Sequence, residues 1–159
     1  MEDADLLKLL ARFQEEGVQY ILVGGHAVRL NGFVRATEDI DIVLPSSIEN
    51  GRRVIRALDF LPSSKDLDPQ WFEVHGDPEN IRVADELLVD LLFAANGQTY
   101  DSLLPYMRTL VVDGVQIRTL DIEGLLRTKT DYRDKDRIDR SALERIRRGL
   151  AEGSGAADG

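Results

Sequence analysis

The sequence predicts an α/β fold of the α+β kind, a mixed β-sheet flanked by helices, and three observations carry that expectation. Apolar runs of strand length interleave with stretches of helical periodicity. The interleaving has no regular βαβ period, which disfavours a doubly wound parallel sheet. Asp113-Gly114 lies between two alternating runs, where a type I′ hairpin turn would sit. The chain shows no internal repeat.

In chain order, Leu6, Leu7, Leu9, Leu10 and Phe13 recur at helical spacing before Gly17, which predicts an amphipathic helix closed by a glycine cap. Gln19 to Val23 reads as the first core strand, and Gly25 to Leu30 as a helix closed by Asn31-Gly32. Asp39 to Leu44 is the second strand. Pro45-Ser46-Ser47 stops it and offers an N-cap to a helix through Val54, Ile55 and Leu58. Leu61 to Gln70, with two prolines and Ser63-Ser64, predicts a surface loop. Trp71 to His75 and Ile81 to Ala84 alternate around Gly76-Asp77-Pro78-Glu79-Asn80, which predicts a hairpin-like pair, with Trp71 open between core packing, the favoured reading, and base stacking. Leu87 to Phe93 is a further strand, Tyr100 to Leu104 a short helix, and Arg108 to Leu120 the two strands of the Asp113-Gly114 hairpin. Asp121 can cap a helix through Ile122, Leu125, Leu126 and Lys129, and a last helix carries Ile138, Leu143, Ile146 and Leu150. Residues 151–159 are rich in Gly, Ala and Ser and lack large apolar side chains, so a single domain over 1–150 with a disordered tail is expected.

A chain of 159 residues suits one core, burying on the order of 70% of its unfolded surface. Its apolar share of 43% and charged share of 31% are those of a soluble globular protein, and no apolar run approaches a membrane span. The acidic start, Met1 to Asp5, and the absence of cysteine suggest a cytoplasmic address without disulfides or thiolate metal sites. A net charge of −9 argues against broad binding to duplex nucleic acid. Yet residues 127–148 hold nine Lys or Arg against five Asp or Glu. That segment is either a salt-bridged surface helix or a face for phosphate or RNA.

The chemistry concentrates in two places. Tyr20-Ile21-Leu22-Val23-Gly24-Gly25 is an apolar strand running into two glycines, where the backbone can approach a phosphate closely. After a gap of thirteen residues from Gly25, Asp39 and Asp41 stand at i and i+2 in an apolar strand and so share one face. Two carboxylates that close ask for a cation, and an all-oxygen set suits Mg²⁺ or Mn²⁺. Asp90 is a third acid with only apolar neighbours, so it must be paired, hydrogen-bonded or metal-bound. His26 and His75 lack a partner histidine at ligand spacing and read as structural.

A strand ending in Gly-Gly followed by Asp39-x-Asp41 resembles the signature of the nucleotidyltransferase superfamily with the DNA polymerase β-like fold. The form Arg35-x-Thr37-x-Asp39-x-Asp41 is similar to that of AbiEii-type toxins and the minimal nucleotidyltransferases. Leu125-Leu126-Arg127-Thr128-Lys129 and Arg133-x-Lys135-Asp136-x-x-Asp139 resemble the late motifs of the AbiEii-type enzymes. The resemblance spans residues 20–139. It implies an NTP substrate, a metal site of Asp39, Asp41 and Asp90, and phosphate contacts from Gly24, Gly25, Lys129, Arg133 and Lys135. It also implies that Arg35 and Thr37 touch phosphate or brace their loop, and that Asp136 and Asp139 orient the cations. Gly25 stands where the family often has Ser, which removes one hydroxyl contact.

The expected activity is Mg²⁺-dependent transfer of NMP from an NTP to a hydroxyl, with Asp39, Asp41, Asp90 and Lys129 in catalysis. The acceptor is open between an RNA end such as the tRNA acceptor stem, a small molecule and a protein side chain. A toxin of a toxin–antitoxin system, with an antitoxin as partner, is within that expectation. A catalytically silent nucleotide-binding module is the alternative, and a phosphohydrolase using the same acids is a third.

Overall fold

The computed structural model describes residues 2–33 and 39–158. Helix α1 (Glu2–Glu16) turns Leu6, Leu9, Leu10 and Phe13 into the core and ends at Gly17, whose φ of +68° closes it. Phe13 then meets Tyr20 with ring centroids 5.1 Å apart, seating the helix beside the strand that follows. Strand β1 (Ile21–Val23) is buried throughout and passes without a loop into α2 (Gly24–Leu30), which ends at Asn31-Gly32. Strand β2 (Asp39–Val43) leads to α3 (Ile48–Ala57), where the Ser47 hydroxyl accepts from the Asn50 N–H at 3.0 Å, the N-cap expected of Ser46-Ser47.

The next stretch departs from expectation. Leu61 to Gln70 contains 3₁₀ turns at Pro62–Asp66 and Pro69–Phe72, each begun by its proline. Asp68 caps the second by accepting from the Gln70 N–H at 2.9 Å, so Trp71 and Phe72 are drawn into a turn and not into a strand. Phe72 is buried against Gly51 of α3, whereas Trp71 is 54% exposed, contrary to the core position predicted for it. Strand β3 (Ile81–Ala84) consequently pairs with β4 (Leu88–Leu92) and not with the Trp71 segment. After α4 (Tyr100–Leu103) and a 3₁₀ turn at Leu104–Tyr106, β5 (Met107–Val112) and β6 (Val115–Leu120) form the expected hairpin, with φ of 50° at Asp113 and 81° at Gly114.

Helix α5 (Ile122–Thr128) is capped by Asp121, which accepts from the Gly124 N–H at 2.8 Å. Lys129, expected inside this helix, lies one position beyond its observed end in an extended conformation, because the carbonyls of the last turn are taken by side chains. Asn96 and Arg140 both donate to the Lys129 carbonyl, and they donate as well to those of Arg127 and Leu126 respectively. Helix α6 spans Asp134–Asp158.

The sheet has six strands in the order β3-β4-β2-β1-β6-β5. Its outer pairs β3/β4 and β5/β6, and the central β1/β2, are antiparallel, while β2/β4 and β1/β6 are parallel. It is therefore mixed, as predicted. The parallel β2/β4 pair follows from the long crossover through α3 and the two 3₁₀ turns. Along β2, Ile40 and Ile42 are buried in the core while Asp39 and Asp41 face the other way, half-buried. No helix among the described residues is long and apolar enough to cross a membrane.

Candidate active site

The acids are brought together by strand register. Asp41 lies opposite Asp90 in the parallel β2/β4 pair and opposite Val23, the residue before Gly24, in the β1/β2 pair. Arg82 lies opposite Asp90 across β3/β4. Side chains at matched positions of neighbouring strands share a face. Arg82, Asp90, Asp41 and Asp39 therefore form one polar patch, and Gly24-Gly25 opens α2 on the β1 side of it.

The electrostatics follow from that crowding. Burial, then the charges of Asp90 and Asp39, and a side-chain hydrogen bond with Asp90 push the Asp41 carboxyl up to about 6, against a weaker pull from Lys135. Arg82 answers part of the remaining charge. Its Nη1 lies 3.0 Å from each oxygen of Asp90 and 3.5 Å from Asp39. Gly24 is constrained twice over. Its φ is +71°, and a Cβ at that position would come within 2.1 Å of Asp41 Oδ2. Only a glycine lets the strand turn into α2 against the carboxylate.

The C-terminal motif reaches the same place. A cleft of about 580 Å³ is lined by Gly24, Gly25, Asp39, Asp41, Asp90 and Arg82, and across from them by Lys129, Arg133, Lys135 and Asp136. Lys129 is buried, with Nζ 3.0 Å from Asp139 Oδ2 and 3.9 Å from Asp136 Oδ1, so its charge is spent mainly on holding α6. Burial would raise the Asp136 carboxyl. The Thr130 hydroxyl at 2.8 Å and its N–H at 3.1 Å, with Lys129 and Arg133 nearby, outweigh that and hold it below the usual carboxylate range. Arg133 and Lys135 are exposed at the rim. Arg35 and Thr37 lie outside the described residues.

His26 is buried with its Nδ1 3.2 Å from Arg29 Nη2, and His75 sits 3.0 Å from Glu73, so each has a local partner. Arg82, Asn80, Asn96, Thr130 and Tyr132 also line the cleft and were not singled out by the sequence. The alternation of Ile81-Arg82-Val83-Ala84 sets Arg82 apart from the buried Val83, but only register brings it to Asp90.

Three carboxylates on adjacent strands form an all-oxygen donor set of the class that suits Mg²⁺ or Mn²⁺. They carry the crowded negative charge such an ion would neutralise, as the elevated Asp41 shows. Among the described residues no three His, Asp or Glu side chains close round a single point. Arg82 occupies Asp90 from the β3 side.

The mixed sheet and its flanking helices have the fold of solved nucleotidyltransferases. Similar solved structures include a Thermotoga maritima protein described as a candidate nucleotidyltransferase. It is 20% identical with a TM-score of 0.58, over 94% of this chain and 92% of that one. The lincosamide antibiotic adenylyltransferase LnuA, bound to lincomycin, is 20% identical with a TM-score of 0.61, over 91% of this chain and 97% of its own. The antibiotic-resistance factor ANT(2'')-Ia, in a solution structure, is 15% identical with a TM-score of 0.53, over 99% of this chain and 97% of its own. No protein-family model and no curated protein matches the sequence.

Proposed function

We propose that the chain is a divalent-cation-dependent nucleotidyltransferase that moves NMP from an NTP to a hydroxyl acceptor and releases pyrophosphate. One observation carries the reading: Asp39, Asp41 and Asp90 open into a single cleft with Gly24, Gly25, Arg133 and Lys135. In this reaction the acceptor oxygen attacks the α-phosphorus, the bond to the pyrophosphate bridging oxygen breaks, and the hydroxyl proton passes to a base. Asp39 and Asp41 are the side chains to hold Mg²⁺ or Mn²⁺, with Asp90 either completing the donor set or accepting the proton. A bound ion supplies screening of the triphosphate charge and activation of the attacking hydroxyl. Gly24 and Gly25 let the triphosphate approach the backbone, and Arg133 and Lys135 meet its outer oxygens. Lys129 acts as a positioning residue, since Asp139 and Asp136 hold it.

Asp39→Asn combined with Asp41→Asn should abolish transfer of label from an α-³²P-NTP to acceptors in a cell lysate. The circular dichroism should be unchanged, because the substitution relieves repulsion. Equal labelling by the variant and the parent would reject the assignment.

A silent nucleotide-binding module is the second reading, favoured by the engagement of Asp90 and Asp39 with Arg82. NTP binding by calorimetry without pyrophosphate release across varied acceptors would support it. A toxin role, with an antitoxin partner and an RNA acceptor, rests on the Arg133-x-Lys135-Asp136-x-x-Asp139 motif. Growth arrest on expressing the parent chain, but not the double Asn variant, is its expected sign.

A further inference from the structure

We propose that Arg82 is a cation-displaced latch on the acids. Without a divalent ion it closes Asp90 and Asp39, and a bound ion sends it to the carboxylates of a second cavity on the β3 side. The proposal rests on the reading of the cleft as a divalent-cation site.

The first position of the latch is drawn by distances. One nitrogen, Nη1, lies 3.0 Å from both Oδ1 and Oδ2 of Asp90 and 3.5 Å from Asp39 Oδ2. It stands midway between the two oxygens of Asp90 and within reach of Asp39, in the space that an ion joining these two acids would take. Mg²⁺ binds carboxylate oxygens at about 2.0–2.1 Å and demands near-octahedral room around it. A guanidinium in that space obstructs the ion by volume and repels it by like charge. Ion and Arg82 therefore exclude each other at Asp90.

The second position follows from where Arg82 sits. It stands on β3, at the edge of the sheet, and its side chain is 51% exposed, against 19% for Asp90. Little packing holds the guanidinium in place, so leaving costs mainly its ion pairs. Arg82 lines the cleft and also a second cavity, of about 700 Å³, whose wall includes Glu73, Asp77 and Glu79. Glu73 is paired with His75, whereas Asp77 and Glu79 make no ion pair among the described residues. Both belong to the segment that leads into β3. A displaced guanidinium thus meets fresh carboxylates by rotation about its own side-chain bonds, with the sheet unmoved. Each position of the side chain is answered by carboxylate, and the ion biases the pair of states because it binds only the one in which Arg82 has left.

Such a latch has a thermodynamic signature, since apparent affinity falls by the fraction of molecules in which Asp90 is open. The test titrates the full chain with Mn²⁺ alone by calorimetry, without nucleotide or turnover. Arg82→Gln, with Arg82→Met as a second replacement, should bind Mn²⁺ about tenfold tighter or more. Both substitutions fall at a half-exposed edge position, and circular dichroism checks that the fold is kept. If Arg82 merely braced Asp90, the same variants would bind Mn²⁺ more weakly. Asp77→Asn with Glu79→Gln should weaken Mn²⁺ binding about threefold in the parent and by less in the Arg82→Gln background. Loss of two nearby charges acts in both backgrounds, so the difference between them reports the second position. Unchanged or weaker binding by both Arg82 variants would overturn the proposal, and so would an equal effect of the Asp77, Glu79 pair in the two backgrounds. Failure of the cation-site reading looks different: neither the parent nor either Arg82 variant would bind Mn²⁺, which rejects that reading and the latch together.

Discussion

Asp41 bears the main electrostatic conflict of the molecule, and its consequences can be measured. Its carboxyl titrates near 6 in the folded chain, against an ordinary value near 4 in the unfolded one. Between those values the folded protein holds a proton that the unfolded chain has released. Stability from this group is thus fully present below about pH 4 and is lost as the pH rises through about 6. Urea titrations from pH 4 to 7 should show Asp41→Asn losing less stability than the parent over that window. Divalent-cation affinity, measured by calorimetry, should rise through the same range as ion and proton compete for the carboxylate. Gly24→Ala tests the other half of the arrangement. An alanine would have to adopt φ near +71° and push Asp41 aside, so a loss of about 1–3 kcal/mol in chemical denaturation is expected, together with weakened cation binding.

At the scale of elements, the junction of α5 and α6 is held by charge. Lys129, Asp139 and Asp136 are all buried, and the Lys129 carbonyl is itself held by Asn96 and Arg140. Lys129→Ala would remove the buried cation 3.0 Å from Asp139 and should lower the urea midpoint by the equivalent of about 3 kcal/mol. Lys129→Ala combined with Asp139→Ala should recover part of that loss. No recovery in the double variant would show that Lys129 does not act through Asp139. The same junction carries Arg133 and Lys135 to the cleft, so its loosening should also weaken NTP binding. Strand register is the other element-scale device. The pairing of Asp41 with Asp90 means that a one-residue slip of β4 would turn Asp90 into the core.

For the whole molecule, the edge of the sheet at β3 and the 3₁₀ turns before it leave Trp71 outside the core. Native tryptophan emission should lie close to that of the urea-unfolded chain, and Trp71→Phe should change stability by no more than about 0.5 kcal/mol. A large blue shift in the native state would contradict this placement. The acidic balance of the chain is distributed to match. Arg133 and Lys135 line the cleft, whereas the cavity on the β3 side collects carboxylates. A chain of net charge −9 thus carries a cationic rim at one cavity and an anionic one at the other.

Periodicity and turn chemistry were enough to determine the mixed sheet, the capped helices at Ser47 and Asp121, the Asp113-Gly114 hairpin and the shared face of Asp39 and Asp41. Each of these is set by residues within a few positions of one another. Trp71 to His75 does not form the expected strand, because Pro69 and the Asp68 cap override the alternation that resembles one. Three things were settled only by tertiary structure: the pairing of Arg82 with Asp90, the turning of Lys129 onto Asp139, and the exposure of Trp71. Each depends on which strand or helix arrives beside another. That choice is made by burial summed over the whole core, and no local window of sequence contains it.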